Sequence, residues 1–352
     1  VAATVRSIAE DVDIVAIADT PASVDILELA GCTQVLQLAD MLGESLARRI
    51  SAGDAMAHVL GEFDELLIAE ATVKHTPLAG KTLAEAALRT NTGVSVVGVW
   101  ERGSYQAARP ETMIADRTVL VLAGTQEQLH KYDSLLVGFN QSVDPVIIIG
   151  AGRVGLATAR SLERRGVDYR IVEQDESRDT GDGKFVAGSA AALEVLQEAG
   201  IDTAPAVVIT TRDDDTNIYL AIYCRKLQPD IQVIARANDE RNISTLHRAG
   251  TDFVMSYASM GASAIANMLH HTSTLMVAEG LELFRLQVPD ALAGQSIAES
   301  SLRAQTGCTV VASCVGDGIT VNPDPTAPLT RDTEIILIGT AEGERKFLEL
   351  YS

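Results

Sequence analysis

The chain has 352 residues, 47% of them apolar and 22% charged, the balance of an ordinary globular protein long enough for two or more domains. Its formal net charge of −20 argues against a nucleic-acid binder, which needs a basic stripe to replace phosphate counterions, and disfavours adhesion to an anionic membrane surface. No signal peptide is visible and no apolar run reaches the roughly 18 residues of a membrane span, so this stretch reads as soluble.

The sequence opens at Val1-Ala2-Ala3-Thr4-Val5, without an initiator methionine and in what reads as the middle of a helix. A strand over 13–18, a helix through Leu29 and a turn at Ala30-Gly31 follow. From residue 78 the pattern changes: Leu78-Ala79-Gly80-Lys81-Thr82, then Leu88-Arg89 and Thr92-Gly93, then alternating β-branched strands over 94–99 and 118–125. Residues 141–145 read as a junction.

The next stretch organises the chain. Val146-Ile147-Ile148-Ile149 is an apolar β-branched run, and Gly150, Gly152 and Gly155 follow it with G-x-G-x-x-G spacing. An amphipathic helix over 156–165 leads to a second strand, Tyr169-Arg170-Ile171-Val172, ending on the acid Glu173. This is the dinucleotide fingerprint in its strand, turn, helix, strand, acid context. Gly150 allows the tight turn, Gly152 lets main chain approach a pyrophosphate, and Gly155 lets helix and strand pack closely, while free N–H groups and the helix dipole face the anion. Glu173 would take the adenosine ribose hydroxyls.

Further on, Asp213-Asp214-Asp215 opens a helix, where aspartates cap free N–H groups and complement the dipole; that role is preferred over binding a ligand or divalent cation. No EF-hand spacing appears. His270-His271 are neighbours on a helix, about 100° apart, unlike two metal ligands at i and i+4, and read as an interface or surface pair. Met260, Ile265, Met268 and Leu269 follow helical spacing and read as a packed face. Cys32, Cys224, Cys308 and Cys314 form no C-x-x-C and read as reduced and buried, with Cys308 and Cys314 sharing a strand face.

Comparing the chain with itself sets the architecture. Residues 11–18 match 230–237, and at the same spacing of 219 Ala30-Gly31 falls on Ala249-Gly250 and Met41 on Met260. Residues 78–85, Leu88-Arg89 and Thr92-Gly93 match 292–299, Leu302-Arg303 and Thr306-Gly307 at a spacing of 214. The expected fold class is α/β: a Rossmann-like doubly wound parallel sheet plus a small α+β lobe, repeated twice with the first copy N-terminally incomplete. Residues 1–62 are then a partial first Rossmann lobe with crossover helices, 63–140 the first small lobe, 141–278 a complete nucleotide-binding Rossmann lobe, and 279–352 the second small lobe. On this reading the first copy's glycine turn lies upstream of Val1 and the chain is a fragment.

The G-x-G-R-x-G turn, the Thr210-to-Asn217 strand end and helix start, and the repeated L-A-G-x-S/T opening of the small lobe together resemble the RCK (regulator of potassium conductance, TrkA-N/TrkA-C) family in its tandem arrangement, over nearly the whole chain. The resemblance implies a non-enzymatic, nucleotide-sensing gating-ring region of a prokaryotic ligand-gated potassium channel, at the cytoplasmic face of the cell membrane. Its partners would be a pore upstream in the same chain and further copies, dimers assembling into a tetrameric ring. The alternative within the family is a separate regulatory subunit acting on a Trk-type membrane protein. The stretch 92–103 resembles the channel-fused group more closely. A rival of another class is an NAD-dependent oxidoreductase, disfavoured because the small lobe is duplicated and carries no evident acid/base cluster.

Carried residue by residue, the resemblance implies that Gly150, Gly152, Arg153, Val154 and Gly155 cradle the phosphates, with Arg153 closing over them. Glu173 holds the ribose, Gln174 and Asp175 line the adenosine side, and Thr210, Thr211 and Asn217 face the ligand from the next strand end. Arg236 fits a second phosphate-contacting arginine. Ser189 stands where the family often has Asp. Ile17 replaces Arg236 in the first copy, so the ligand belongs to the second. NAD or NADH, or ADP or ATP, is the implied regulatory ligand, with calcium as a further candidate and NADP disfavoured by Glu173. Met41, Leu46 and Ile50 are expected to meet a partner subunit.

Overall fold

The computed structural model describes residues 1–50, 55–74, 76–101, 104–116, 118–136, 144–269, 274–278, 281–316 and 318–351. His270 and His271, and residues 141–143 of the expected junction, lie outside them. The chain divides into two compact units, Val1–Gly53 with Ser142–His271 and Asp54–Gln141 with Thr272–Ser352.

The first unit is built on a six-stranded parallel sheet. Its strands run, from edge to edge, Phe185–Ala187, Tyr169–Glu173, Val146–Ile149, Ala206–Ile209, Gln232–Ala237 and Phe253–Ser256. Parallel strands need helical crossovers, which cover both faces, so the central strands are apolar throughout rather than alternating. Ile147, Ile149, Val207, Ile209, Val233 and Ala235 share one core cluster with Leu220, Ala221 and Cys224 of the helix Asp214–Leu227. Chain order reverses between Val146–Ile149 and Ala206–Ile209, which places a crevice at the strand ends there.

The partial copy reproduces the far half of this lobe in register. Val15, Ala16 and Ile17 pair in parallel with Gln34, Val35 and Leu36, as their counterparts Ile234, Ala235 and Arg236 pair with Phe253, Val254 and Met255. The helix Ala2–Ile8 matches the last turns of Asp214–Leu227, and Arg6 donates to the carbonyl of Gly31 as Arg225 does to that of Gly250. The opening residues are thus helical, as their sequence suggests.

The crossover helix Leu38–Arg48 of this copy lies against the helix Arg153–Arg164 that follows the glycine turn. Gly43 makes the close approach: a Cβ there would stand 2.7 Å from the main-chain nitrogen of Thr158. Leu42, Leu46 and Ala47 are fully buried, as is Ile50 beyond the helix end. Leu46 and Ile50 are therefore covered within the chain, which corrects the expectation that they meet a partner subunit; Met41 is half-buried.

The second unit holds two small lobes of one design. Each has a five-stranded antiparallel sheet: His58–Phe63, Leu66–Thr72, Val119–Gly124, Ser95–Glu101 and Ser104–Ala107 in one, Thr274–Ala278, Leu281–Gln287, Glu334–Gly339, Thr309–Val315 and Gly318–Val321 in the other. Each repeats the same capping device, Thr82 with Glu85 and Ser296 with Glu299, in which the hydroxyl accepts the glutamate's amide and the glutamate carboxylate accepts the amide of the hydroxyl-bearing residue. The lobes exchange arginines: Arg89 donates to the carbonyls of Asn322 and Pro323 at 3.2 and 3.0 Å, and Arg303 to that of Ala108 at 2.9 Å. The Asn322 side chain also donates to the Gly93 and Ala123 carbonyls, whereas Ala108, its counterpart at the spacing of 214, has no such group.

All four cysteines are free, and Cys224, Cys308 and Cys314 are buried. A register shift between Val310 and Ala312 interrupts the strand parity expected to place Cys308 and Cys314 on one face. Among the described residues no helix is long and apolar enough to cross a membrane.

Candidate functional site

The crevice at the switch point is a cleft of about 360 Å³. Gly150, Gly152, Glu173, Gln174, Ser189, Thr210 and Thr211 line it, so seven of the sequence-selected residues converge there.

Each glycine occupies a distinct environment. Gly150 has φ +105°, a conformation that L side chains rarely adopt. A Cβ on Gly152 would meet no atom within 4 Å, so the main chain is open at this point. A Cβ on Gly155 would collide with the Gly150 carbonyl. Thr210 ties the turn to the neighbouring strand, its hydroxyl donating to the carbonyls of Ile149 and Gly150 at 3.0 and 3.1 Å. Val154 and Gly155 are buried in the helix face behind the turn.

Glu173 is held by main chain: its carboxylate accepts from the amides of Ala151 and Gln174, both at 2.8 Å, and Asp175 at 3.2 Å. The acid thus fastens the glycine turn to the second strand end. Gln174 donates to the Ser189 hydroxyl at 3.2 Å. Asp175 lies outside the lining and caps the short turn Glu176–Arg178, accepting from Ser177 and Arg178; those bonds hold its carboxyl below its ordinary value. Asn217 is fully buried and bridges strand ends, accepting from the Thr211 hydroxyl at 2.6 Å and donating to the Arg236 carbonyl at 2.9 Å.

Two of the expected phosphate contacts stand beside the cleft. Arg153 donates to the carbonyl and carboxylate oxygens of Asp19, at 2.5 and 2.6 Å. Arg236 places its guanidinium 5.0 Å from the centroid of the Tyr257 ring, and its Nε is buried without a hydrogen-bond partner. Burial pulls its pKa down, Tyr257 opposes this, and Arg212 and Arg153 add to it. A partly buried cation whose Nε has no acceptor favours an anionic neighbour.

Sequence reasoning missed Arg178, Arg212 and Tyr219, all of which line the cleft. Arg178 donates to the Ala151 carbonyl at 3.2 Å and lies 3.9 Å from Glu173. Arg212 had a signal, its place directly after Thr210-Thr211; Arg178 sits in a loop with none.

The aspartate triplet divides its labour. Asp213 caps the helix by accepting the Thr216 amide at 3.0 Å. Asp214 is buried and accepts four bonds, from the amides of Asn238 and Asp239 and the side chains of Asn238 and Asn242. Burial works against its charge, but those bonds outweigh it and leave the carboxyl below its ordinary value of 3.8. With the folded value below the unfolded one, this contribution is present above the ordinary value and disappears as pH falls through the folded one. Asp214→Ala is expected to cost about 2–3 kcal/mol at neutral pH. In acid the difference between variant and parent should shrink; a urea titration showing equal stability at pH 7 would contradict the anchoring role. Among the described residues no cluster of three or more His, Cys, Asp or Glu side chains is placed to hold a metal.

A doubly wound sheet with a glycine turn at its switch point, together with a duplicated antiparallel lobe, defines a Rossmann-type protein with repeated accessory domains. The TrkA-N domain matches residues 146–257, and the TrkA-C domain matches twice, at 68–137 and 281–352. The crystal structure of the GsuK RCK domain is 40% identical with a TM-score of 0.66, covering 99% of this chain and 76% of that one. The GsuK channel bound to NAD is 41% identical with the same TM-score, over 99% of this chain and 64% of that one. Potassium channel protein 1 of Methanocaldococcus jannaschii is 24% identical over 210 residues, 56% of this chain and 63% of that protein. A Trk system potassium uptake protein TrkA homolog of Pyrococcus abyssi is 32% identical over 173 residues, 45% of this chain and 76% of that protein. The chain belongs to the RCK family, with TrkA-N and TrkA-C domains. It spans slightly less than two thirds of the two Methanocaldococcus jannaschii channel proteins it matches.

Proposed function

We propose that this chain is the nucleotide-sensing gating-ring region of a potassium channel, and that the cleft at Gly150 to Gly155 takes an adenine nucleotide. The observation that carries the reading is the likeness over 99% of the chain to the GsuK channel bound to NAD. The cleft suits such a ligand: open main chain at Gly152 for a pyrophosphate, and a buried Arg236 Nε without an acceptor. Segments divided after residues 62, 140 and 278 belong to the same reading.

In this assignment Gly150, Gly152 and Arg153 form the phosphate cradle with Val154 and Gly155 packed behind it, Glu173, Gln174 and Ser189 the adenosine end with Asp175 bracing the turn beside it, and Thr210, Thr211 and Arg236 the opposite wall with Asn217 tying it from within. A free 2′-hydroxyl matches Glu173, and a 2′-phosphate meets a carboxylate. Arg178 stands close by, but Asp175 and the Ala151 carbonyl already engage it, so NADP is expected to bind least well. Binding drives gating through differential affinity for two arrangements of the assembly, about 1.4 kcal/mol per site for a tenfold difference, multiplied by the sites in a ring.

Calorimetric titration with NAD, NADH, ADP, ATP and NADP tests this. One adenine nucleotide should bind in preference to NADP, and Arg236→Ala should weaken it about tenfold with little change in fold, the loss of one charge-assisted contact. Equal binding by parent and variant would remove Arg236 from the site; turnover of NADH with a 2-oxo acid would instead mark an oxidoreductase. The Pyrococcus abyssi likeness favours a second reading, a separate subunit regulating a Trk-type membrane protein. Nucleotide-dependent potassium flux through a pore on the same chain, rather than through a separate one, decides between the two.

A further inference from the structure

Arg153 is the first residue of the helix that opens on the glycine turn, and its guanidinium is bound to a residue 134 positions away in the partial copy. Asp19 follows the strand Val15–Ile17 and stands at the position of Asn238, two residues beyond Ile17, which replaces Arg236. The copy that lacks the phosphate-binding arginine thus offers an anion to the neighbouring copy's arginine.

The pair is one of three on a single helix face. Arg160 binds Asp40 at 2.5 Å and Arg164 binds Glu44 at 2.7 Å, both carboxylates lying on the crossover helix Leu38–Arg48. Between these rungs Gly43 packs on Ala157, with Leu42, Leu46 and Ala47 fully buried. Apolar burial therefore holds the helices together whatever Arg153 does. The Asp19 carboxylate is 78% exposed and the Arg153 side chain 48% exposed, so water and a competing anion reach both. Exposed pairs of this kind are worth little.

We propose that Asp19 is a positioning residue of the nucleotide site: it competes with the ligand's phosphates for Arg153, so binding at the glycine turn exchanges one anion for another and releases the Asp19 end of the partial copy. This rests on the reading of the cleft as a nucleotide site. The first copy then acts on the second copy's ligand without binding one itself.

The test is a double-mutant cycle read by calorimetric titration of NAD into the full chain at fixed salt. Asp19→Ala should tighten NAD about three- to fivefold, the worth of an exposed ion pair. Arg153→Ala should weaken it about tenfold, and in the Arg153→Ala background Asp19→Ala should have no effect. Asp19→Glu should restore the parent affinity, and all variants should keep the parent's thermal midpoint to within the small value of such a pair. Weaker binding in Arg153→Ala with no change in Asp19→Ala overturns the competition. Equal tightening by Asp19→Ala with and without Arg153 overturns it too, since that is a general charge effect. No NAD binding by the parent overturns the nucleotide reading itself and the competition with it.

Discussion

Gly155→Ala is expected to destabilise the Rossmann unit by about 3 kcal/mol or more and to abolish nucleotide binding. Overpacking in a tight core costs about 1–3 kcal/mol, and here the new methyl meets a main-chain carbonyl that cannot swing aside. The Gly150 carbonyl it strikes is fixed by the positive φ of its own residue and by the Thr210 hydroxyl. Helix and strand must separate, and both the glycine turn and the Thr210 contact are lost with them. The chain's single tryptophan, Trp100, lies in the other unit and gives the two units separate signals. Circular dichroism should show an early transition in the variant while Trp100 fluorescence unfolds near the parent midpoint. Unchanged circular dichroism would show that the turn accommodates a methyl.

Gly152→Val should do the opposite: leave stability within about 0.5 kcal/mol of the parent, as at an unconstrained surface position, and weaken NAD about a hundredfold. Its φ of −75° and ψ of 179° suit any residue, and open space surrounds the built Cβ. The valine would occupy the space through which a pyrophosphate approaches. Parent-like titration of this variant would place the phosphates elsewhere. The two glycines stand three residues apart in one motif, yet the expected loss is first of folding at Gly155 and of binding alone at Gly152.

Much of this was legible because the signals are local or repeated. The G-x-G-x-x-G turn and Glu173 lie within one strand, turn, helix and strand, and the structure joins them through the Ala151 amide. The repeat spacing of 219 gave the strand register of the partial copy, and the structure extends it to Arg6 and Arg225. What escaped depends on distance or on loops. An apolar face on the crossover helix says that Leu46 and Ile50 are buried but not by what, and a partner subunit was the wrong cover. The Arg153 pairing joins residues in different copies, and no periodicity reports it. Capping chemistry accounts for Asp213, but Asp214, one residue on, points at the loop 238–242 and does different work.

The exchanged arginines of the small lobes carry one more implication. Two lobes of one design that grip each other through Arg89 and Arg303 form a dimer whose halves share a chain. Tethering replaces a bimolecular encounter with an effective concentration in the millimolar range, so the pairing survives dilution. Covalent linkage also lifts the rule that both halves of a symmetric contact change together. Asn322 reaches into its neighbour where Ala108 does not, a difference that identical subunits cannot encode. Within one chain the two faces of a repeated contact are free to differ, and here they do.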